Sequence, residues 1–221
     1  IIAMIVLFTS RIKYPAPQEF EAEETHKNGG RKFDRSFILY IIGISFLAAG
    51  FADFPLISFH LSQTGLMTGS SFPLVYSLAM GIDAIAALIF GKLYDRIGLK
   101  SLMFSTILSS IFAPLAFLTS STVPVIAGII CWGIGLGAQE SIAKAVIASL
   151  TSADRRATAY GIFNAIFGLA WFAGSALMGF LYQKNIIAVA LFSVAVELAA
   201  AIFFYLVNRQ LKRTIANNPV E

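Results

Sequence analysis

Six long apolar segments decide what this chain can fold into. Each runs for about 20 residues with few charges, which is the length that a helix needs to cross the hydrocarbon core of a bilayer. The segments are Phe37–His60, Pro73–Tyr94, Ser101–Thr119, Val123–Ala148, Ala157–Tyr182 and Ile186–Asn208. Only 13% of the 221 residues are charged, whereas soluble domains average about 25%. The sequence therefore predicts an all-α membrane protein.

The rest of the chain divides into three further parts. Residues 1–8 are apolar, and basic residues follow them, whereas a secretory signal has its basic residues in front. We interpret residues 1–8 as the end of a preceding transmembrane helix. Residues 9–36 carry an acidic block and then a basic block, which predicts a cytoplasmic linker. Residues 37–208 are the predicted six-helix bundle, and residues 209–221 are a cytoplasmic tail.

The basic side chains predict the orientation in the membrane. When alternate loops are assigned to alternate sides, fourteen of the 16 Lys and Arg residues fall on one side. Lys184 lies on the other side, and Lys144 lies within the fourth span. Since Lys and Arg in short loops mark the cytoplasmic face, residues 9–36 and the C-terminus are predicted to be cytoplasmic, in a multi-pass protein of the plasma membrane. The net charge of +4 then reflects topology, and no nucleic-acid binding is predicted.

The segment GKLYDRIGLK, residues 91–100, forms a predicted cytoplasmic turn between the second and third spans. Gly98 permits the positive φ of a tight turn. Asp95 lies at the C-terminal end of its helix, where the helix dipole disfavours a carboxylate. We therefore expect a base or a facing helix N-terminus outside this helix to satisfy Asp95. The alternative is a plain solvated turn, which would require only polarity.

This segment resembles the signature loop of the major facilitator superfamily, G-x-L-x-D-R-x-G-x-[KR]. The matching residues are Gly91, Leu93, Asp95, Arg96, Gly98 and Lys100. Asp154–Tyr182 also looks like the entry into helix 11 of that family. The resemblance implies helices 7–12 of a twelve-helix transporter, preceded by the end of helix 6, with an N-terminal half as partner. It also implies that the matched glycines and charged residues form a conformational latch. An N-terminal half is the competing assignment.

Ionisable side chains within the spans are candidates for a transport site, because a charge at the bilayer centre costs about 2.5–3.5 kcal/mol on insertion scales. The candidate substrate or proton site consists of Asp53, Asp83, Glu140, Lys144 and Asn164. Asp83 is either a protonatable carboxylate or a hydrogen-bond partner of a neighbouring helix. Glu140 and Lys144, spaced i and i+4, form either an internally neutralised pair or a cavity-lining pair. We expect solvation at a helix end for Asp53, and Asn164 binds either substrate or another helix.

Other residues are predicted to have structural roles. The resemblance places Glu197 on helix 12, outside the cavity, which favours pairing with a partner helix. Trp132 and Trp171 are expected in the core, with cavity lining as the alternative. Small residues spaced along the fifth span predict close helix contacts, namely Gly161, Ala165, Gly168, Ser175 and Gly179. The three glycines of GIGLGAQES, residues 133–141, predict close packing or local bending in a gate.

These patterns favour a secondary active transporter of a small solute, a drug or metabolite, by alternating access, with proton coupling left open. The first alternative is a non-transporting membrane scaffold or sensor with the same fold. A membrane-embedded enzyme is disfavoured because no G-x-S-x-G occurs, and His26 and His60 lie in the linker and at the outer rim. No cofactor or metal site is predicted.

Overall fold

The structure, a computed structural model, describes residues 2–13, 33–67 and 69–217, and these ranges are almost entirely helical with no β-strand among them. Helix α1 (Ile2–Lys13) belongs to a first compact unit. Its last turn carries Arg11 and Lys13, whose positive charges suit the negative C-terminal end of the helix dipole. Most of the predicted linker, including His26, lies outside the described residues.

The second unit contains six helical segments that are long and apolar enough to cross a membrane, which confirms the predicted number of spans. Their helices are α2 (Arg35–Gly50) with α3 (Phe54–Gln63), α4 (Phe72–Ile97), α5 (Lys100–Ser109) with α6 (Phe112–Phe117), α7 (Thr122–Leu150), α8 (Arg156–Lys184) and α9 (Ile186–Asn217). Short 3-10 turns at Gly69–Ser71 and Ala153–Arg155 precede α4 and α8. Several helices are longer than the apolar segments of the sequence, because each continues into the polar residues at its ends.

Two of the six spans are interrupted, a feature that the apolar pattern alone does not predict. The first breaks after Gly50, where Phe51 and Asp53 have extended backbone with ψ of 109° and 145°. Pro55 explains the break, since a proline lacks the N–H for the i−4 hydrogen bond and its ring clashes with that carbonyl, which here belongs to Phe51. Pro114 acts in the same way on the third span, where α5 ends and α6 begins.

The helices of the second unit surround two apolar cores. One core includes Tyr40, Ile142 and Phe204, all fully buried. The Tyr40 hydroxyl donates a hydrogen bond to the Ala143 carbonyl at 2.9 Å, which ties α2 to α7. The other core lies around the break in the first span and includes Phe51 and other buried aromatic residues. The break therefore lies beside packed side chains and not in a surface loop.

Helices α4 and α7 pack closely because α7 has glycines where it crosses α4. A methyl group at Gly133 would come within 2.7 Å of the Ala79 carbonyl oxygen. A methyl group at Gly137 would overlap the Asp83 carbonyl. The glycine-rich segment of α7 therefore serves close helix packing, as the sequence indicates.

Three of the small residues along α8 face no other helix in the part of the chain that the structure describes. A methyl group added at Gly161, Gly168 or Gly179 would meet no atom within 4 Å. These three glycines therefore make no close helix contact within the described residues, whereas Gly174 packs on Ala49. Spacing alone identifies a smooth helix face but does not show which helix covers it. Only 11% of the apolar stretch of α8 is buried, and 22% of that of α4.

We expect Gly137→Ala to destabilise the protein by about 1–3 kcal/mol, because the new methyl group forces α4 and α7 apart. Gly179→Ala is the matched control and should be neutral or stabilising by up to about 1 kcal/mol, since alanine is the better helix former. Thermal unfolding of the purified full-length variants measures both effects. Equal unfolding temperatures for the two variants would contradict the close crossing of α4 and α7.

Candidate functional site

The break in the first span exposes backbone carbonyls that need hydrogen-bond donors. In a bilayer an unsatisfied carbonyl costs several kcal/mol, because no water is present to bind it. The Gly50 carbonyl accepts a hydrogen bond from Ser193 Oγ of α9 at 2.7 Å. The Ala52 carbonyl accepts one from Trp132 Nε1 of α7 at 2.8 Å. Side chains of two neighbouring helices therefore make the break tolerable.

The carboxylate of Asp53 is bound by α8. The Trp171 indole N–H donates to one of its oxygens, and Ser175 Oγ donates to the other at 2.6 Å. Trp171 and Ser175 are spaced i and i+4, so they lie on the same face of α8. Asp53 is half-buried and its side chain does not cap α3. The expectation of a solvated helix end is thus wrong for Asp53, whose side chain instead ties the break to α8.

The two tryptophans belong to the site as well as to the core. Each indole N–H binds the break, Trp132 at a carbonyl and Trp171 at a carboxylate. The expectation of core packing is therefore incomplete. A usable signal was present in the sequence, because a tryptophan buried in a bilayer requires an acceptor for its N–H, and the residues around Pro55 are where a helix would expose one.

Seven aromatic rings form a continuous row around the break, here called the aromatic row. In order of contact its members are Tyr76, Phe54, Trp132, Phe51, Trp171, Phe167 and Phe163. Centroids of neighbouring rings are 4.8 to 6.1 Å apart, a normal distance for favourable aromatic contacts. Phe51 is fully buried, whereas Tyr76 is 44% exposed and Trp171 is half-buried. The row therefore extends from the core to an open face of the bundle.

Glu197 lies beside Gly50 at the break, fully buried on α9. Ser109 Oγ of α5 is 2.6 Å from its Oε2, and Ser193 Oγ is 3.3 Å from its Oε1. Ser193 also reaches the Gly50 carbonyl, so Glu197 belongs to the network that supports the break. The predicted pairing with a partner helix agrees with this arrangement, which joins α9 to α5 and α2.

The hydrogen-bond count around Glu197 favours the neutral acid. Two hydroxyl protons, on Ser109 and Ser193, face four acceptors: both Glu197 oxygens and the carbonyls of Thr106 and Gly50. An ionised Glu197 would accept hydrogen bonds from both serine hydroxyls and leave the Gly50 carbonyl without a donor. A protonated Glu197 donates to Ser109, which frees both serines to donate to the carbonyls. No cation is bonded to Glu197 among the described residues.

Asp83 and Glu140 form a second polar group where α4 crosses α7. Asp83 is half-buried, and its buried Oδ1 has no hydrogen-bond partner in the described part of the chain. Glu140 lies one turn beyond Gly137, the residue that packs on the Asp83 backbone. Glu140 and Lys144 are both exposed, and in the described ranges no ion pair joins them. The internally neutralised pair is therefore not what the structure shows.

The predicted cytoplasmic turn is a tight turn between α4 and α5. Gly98 has a φ of +60°, and its carbonyl accepts a hydrogen bond from Ser101 Oγ at 2.7 Å. A methyl group at Gly91 would come within 2.8 Å of Ser141 Oγ, so α4 approaches α7 closely here too. Asp95, Arg96 and Lys100 are exposed, and the structure shows no hydrogen bond of the Asp95 side chain to any described residue.

Hydrogen bonds do not join the candidate residues into one cluster within the described residues. Asn164 is exposed on α8. No hydrogen bond links Asp53 with Asp83, Glu140, Lys144 or Asn164 in the ranges that the structure covers. His60 is buried, and its Nδ1 lies 2.9 Å from the Tyr182 hydroxyl. A group of three or more His, Cys, Asp or Glu side chains suited to a metal ion is not found among the described residues.

The fold and the site define a multi-pass integral membrane protein with a discontinuous first span. The Major Facilitator Superfamily model matches residues 4–220, so the chain belongs to this superfamily, and its six spans are consistent with a half-domain of that fold. Similar proteins include uncharacterized proteins of Mycobacterium bovis and of two Mycobacterium tuberculosis strains, each 38% identical over 172 residues. The aligned region is 78% of this chain but 42% of each relative.

We expect Glu197→Ala to lose about 2–4 kcal/mol of stability, because it leaves a cavity and serine hydroxyls without their partner. Glu197→Gln should cost less than about 1 kcal/mol, since its amide N–H₂ replaces the donor of the neutral acid. Thermal unfolding of the full-length protein distinguishes the two variants. If the glutamine variant is as unstable as the alanine variant, the neutral acid is the wrong assignment.

Proposed function

We propose that the protein is a secondary active transporter of a small solute, working by alternating access. Membership in the superfamily supports transport in general. The observation that carries the proposal is the discontinuous first span, with a carboxylate and backbone carbonyls held at its break. Transporters commonly form their binding sites from interrupted helices, which offer polar groups inside the membrane. Uptake and efflux of a drug or metabolite both fit this arrangement.

The exposed faces of α4 and α8 support a second six-helix bundle as partner. Leu88 on α4 is 78% exposed, and Phe172 on α8 is 72% exposed. Such side chains require either lipid or protein around them in a membrane. The uncovered glycines of α8 make a smooth face on which another helix could lie closely. We propose that this chain is the C-terminal half and that an N-terminal half covers these faces.

In this proposal the six-helix bundle, residues 37–208, follows the cytoplasmic linker at residues 9–36 in the plasma membrane. The turn at residues 91–100 then lies on the cytoplasmic face, where its glycines and charged residues act as a latch. Asp95 is exposed in the last turn of α4 and is available to a base or helix end of the other half. Closing the latch would stabilise the conformation that is shut towards the cytoplasm.

Asp83 and Glu140 support proton coupling. Both lie at the crossing of α4 and α7, where two carboxylates repel when both are ionised and a bound proton or cation relieves the repulsion. The unpartnered Asp83 oxygen offers an acceptor for it. Lys144 and Asn164 are exposed residues that could contact the solute from α7 and α8. Coupling would arise if protonation changed the balance between the inward-open and outward-open states.

The latch predicts a shift in accessibility when Asp95 is replaced by Asn. In a full-length background from which every native cysteine, including Cys131, has been removed, single cysteines at Leu74 and Leu88 report on the two ends of the exposed face of α4. Labelling with a membrane-impermeant maleimide from the cytoplasmic side should increase at position 88 and fall from the outside at position 74. A latch of about 1.4 kcal/mol corresponds to a tenfold change in the two populations.

Asp154→Asn is the matched control, because it removes the same charge from an exposed position outside the latch. It should leave both labelling rates unchanged. Wild-type accessibility at Asp95→Asn would contradict the latch. If the two reporters never change in opposite directions, even under an imposed proton gradient, alternating access fails and the non-transporting scaffold is the better interpretation.

A further inference from the structure

We propose that the solute is a hydrophobic organic cation, bound at Asp53 against the partly exposed rings of the aromatic row. The inference rests on the transport function proposed above and names the substrate class. The Asp53 carboxylate, which binds no Lys or Arg among the described residues, lies inside a membrane span beside the rings of Trp171 and its neighbours in the aromatic row.

Two hydrogen-bond donors bind the Asp53 carboxylate, but they do not neutralise its charge. An indole N–H can only donate a hydrogen bond, so Trp171 binds Asp53 as an acceptor, and Ser175 completes the support of the ionised form. No Lys or Arg is bonded to Asp53 among the described residues. A carboxylate has about four lone-pair sites, and these two donors occupy two of them. The remaining sites and the uncompensated charge are available to a cation.

The rings supply what an apolar cation requires in place of water. Cations are attracted to the faces of aromatic rings, most strongly to tryptophan. Trp171 belongs to both the carboxylate and the ring part of the site. Its N–H donates to Asp53, and its ring centroid lies 6.1 Å from that of Phe51 and 5.5 Å from that of Phe167. Beyond the buried rings of Phe51 and Trp132, the row continues through Phe54 to Tyr76 at the exposed face. An ion with apolar substituents would therefore find both charge and ring contacts at one place.

Other solute classes fit this site less well. An anion would be repelled by Asp53. A small inorganic cation prefers several oxygen ligands, but the Gly50 and Ala52 carbonyls already accept hydrogen bonds from Ser193 and Trp132. A neutral sugar-like solute would need several polar partners, whereas Phe54 and Trp171, the partly exposed rings next to Asp53, offer mainly apolar surface.

Tetraphenylphosphonium tests the proposal, with tetraphenylborate as an ion of similar shape and opposite charge. We expect purified full-length protein in lipid nanodiscs to bind radiolabelled tetraphenylphosphonium saturably, and tetraphenylborate at least about tenfold more weakly, after subtraction of binding to empty nanodiscs. Asp53→Asn should weaken tetraphenylphosphonium binding by about tenfold or more, whereas Asp154→Asn should leave it unchanged. Asn keeps an acceptor for Trp171, so the break should survive the substitution.

Two variants of Trp171 test the ring separately from the carboxylate. Trp171→Phe keeps an aromatic face and removes the N–H donor, whereas Trp171→Leu removes both, so the leucine variant should bind tetraphenylphosphonium more weakly. Equal affinities for the two variants, or equal affinities of wild type for the two ions, would overturn the proposal. If Asp53→Asn does not fold, as judged by thermal unfolding, these two comparisons still decide.

The outcome can be separated from that of the transport proposal. If the cysteine reporters on α4 alternate but tetraphenylphosphonium does not bind, the substrate class is wrong and alternating access stands. If binding depends on Asp53 while the reporters do not alternate, the cation site stands and transport is wrong.

Discussion

The requirement that every backbone polar group inside a bilayer find a partner within the protein governs this structure. Pro55 disrupts the hydrogen bonding of the first span, and the break exposes carbonyls. Ser193 and Trp132 satisfy two of them from two different helices. The same hydrogen bonds hold α7 and α9 against the first span, so the defect in one helix becomes a point at which the bundle is joined.

The two sides of the break differ in chemistry. Towards α9 the polar groups are sealed: Glu197, Ser109 and Ser193 are fully buried and satisfy one another as a neutral network. Towards α8 the polar group is a half-buried carboxylate, held by two donors and followed by rings that reach an exposed face. A rigid support behind a partly open, charged site is the arrangement that a binding site requires, because preorganised groups lose little freedom when a ligand arrives.

Much of the fold could be predicted because single helices in a membrane are governed by local properties. Six apolar segments gave the number of spans, and the turn motif at residues 91–100 indicated both the tight turn at Gly98 and the superfamily. The site was less predictable. Asp53 was expected in solvent but is bound by α8, and the spacing along α8 did not show which of its residues meet a described helix. Apolarity and spacing describe one helix and do not identify the group that faces it.

The sequence by itself determined that the chain is a membrane protein with six spans. It also determined where prolines and glycines alter a helix, since each of these features depends on residues close together in the chain. Only the tertiary structure decided which side chains meet at the break. Asp53 is separated from Ser175 by 122 residues, and Ser109 from Glu197 by 88. Contacts over such distances result from how helices pack around a defect, and packing is a property of several helices together.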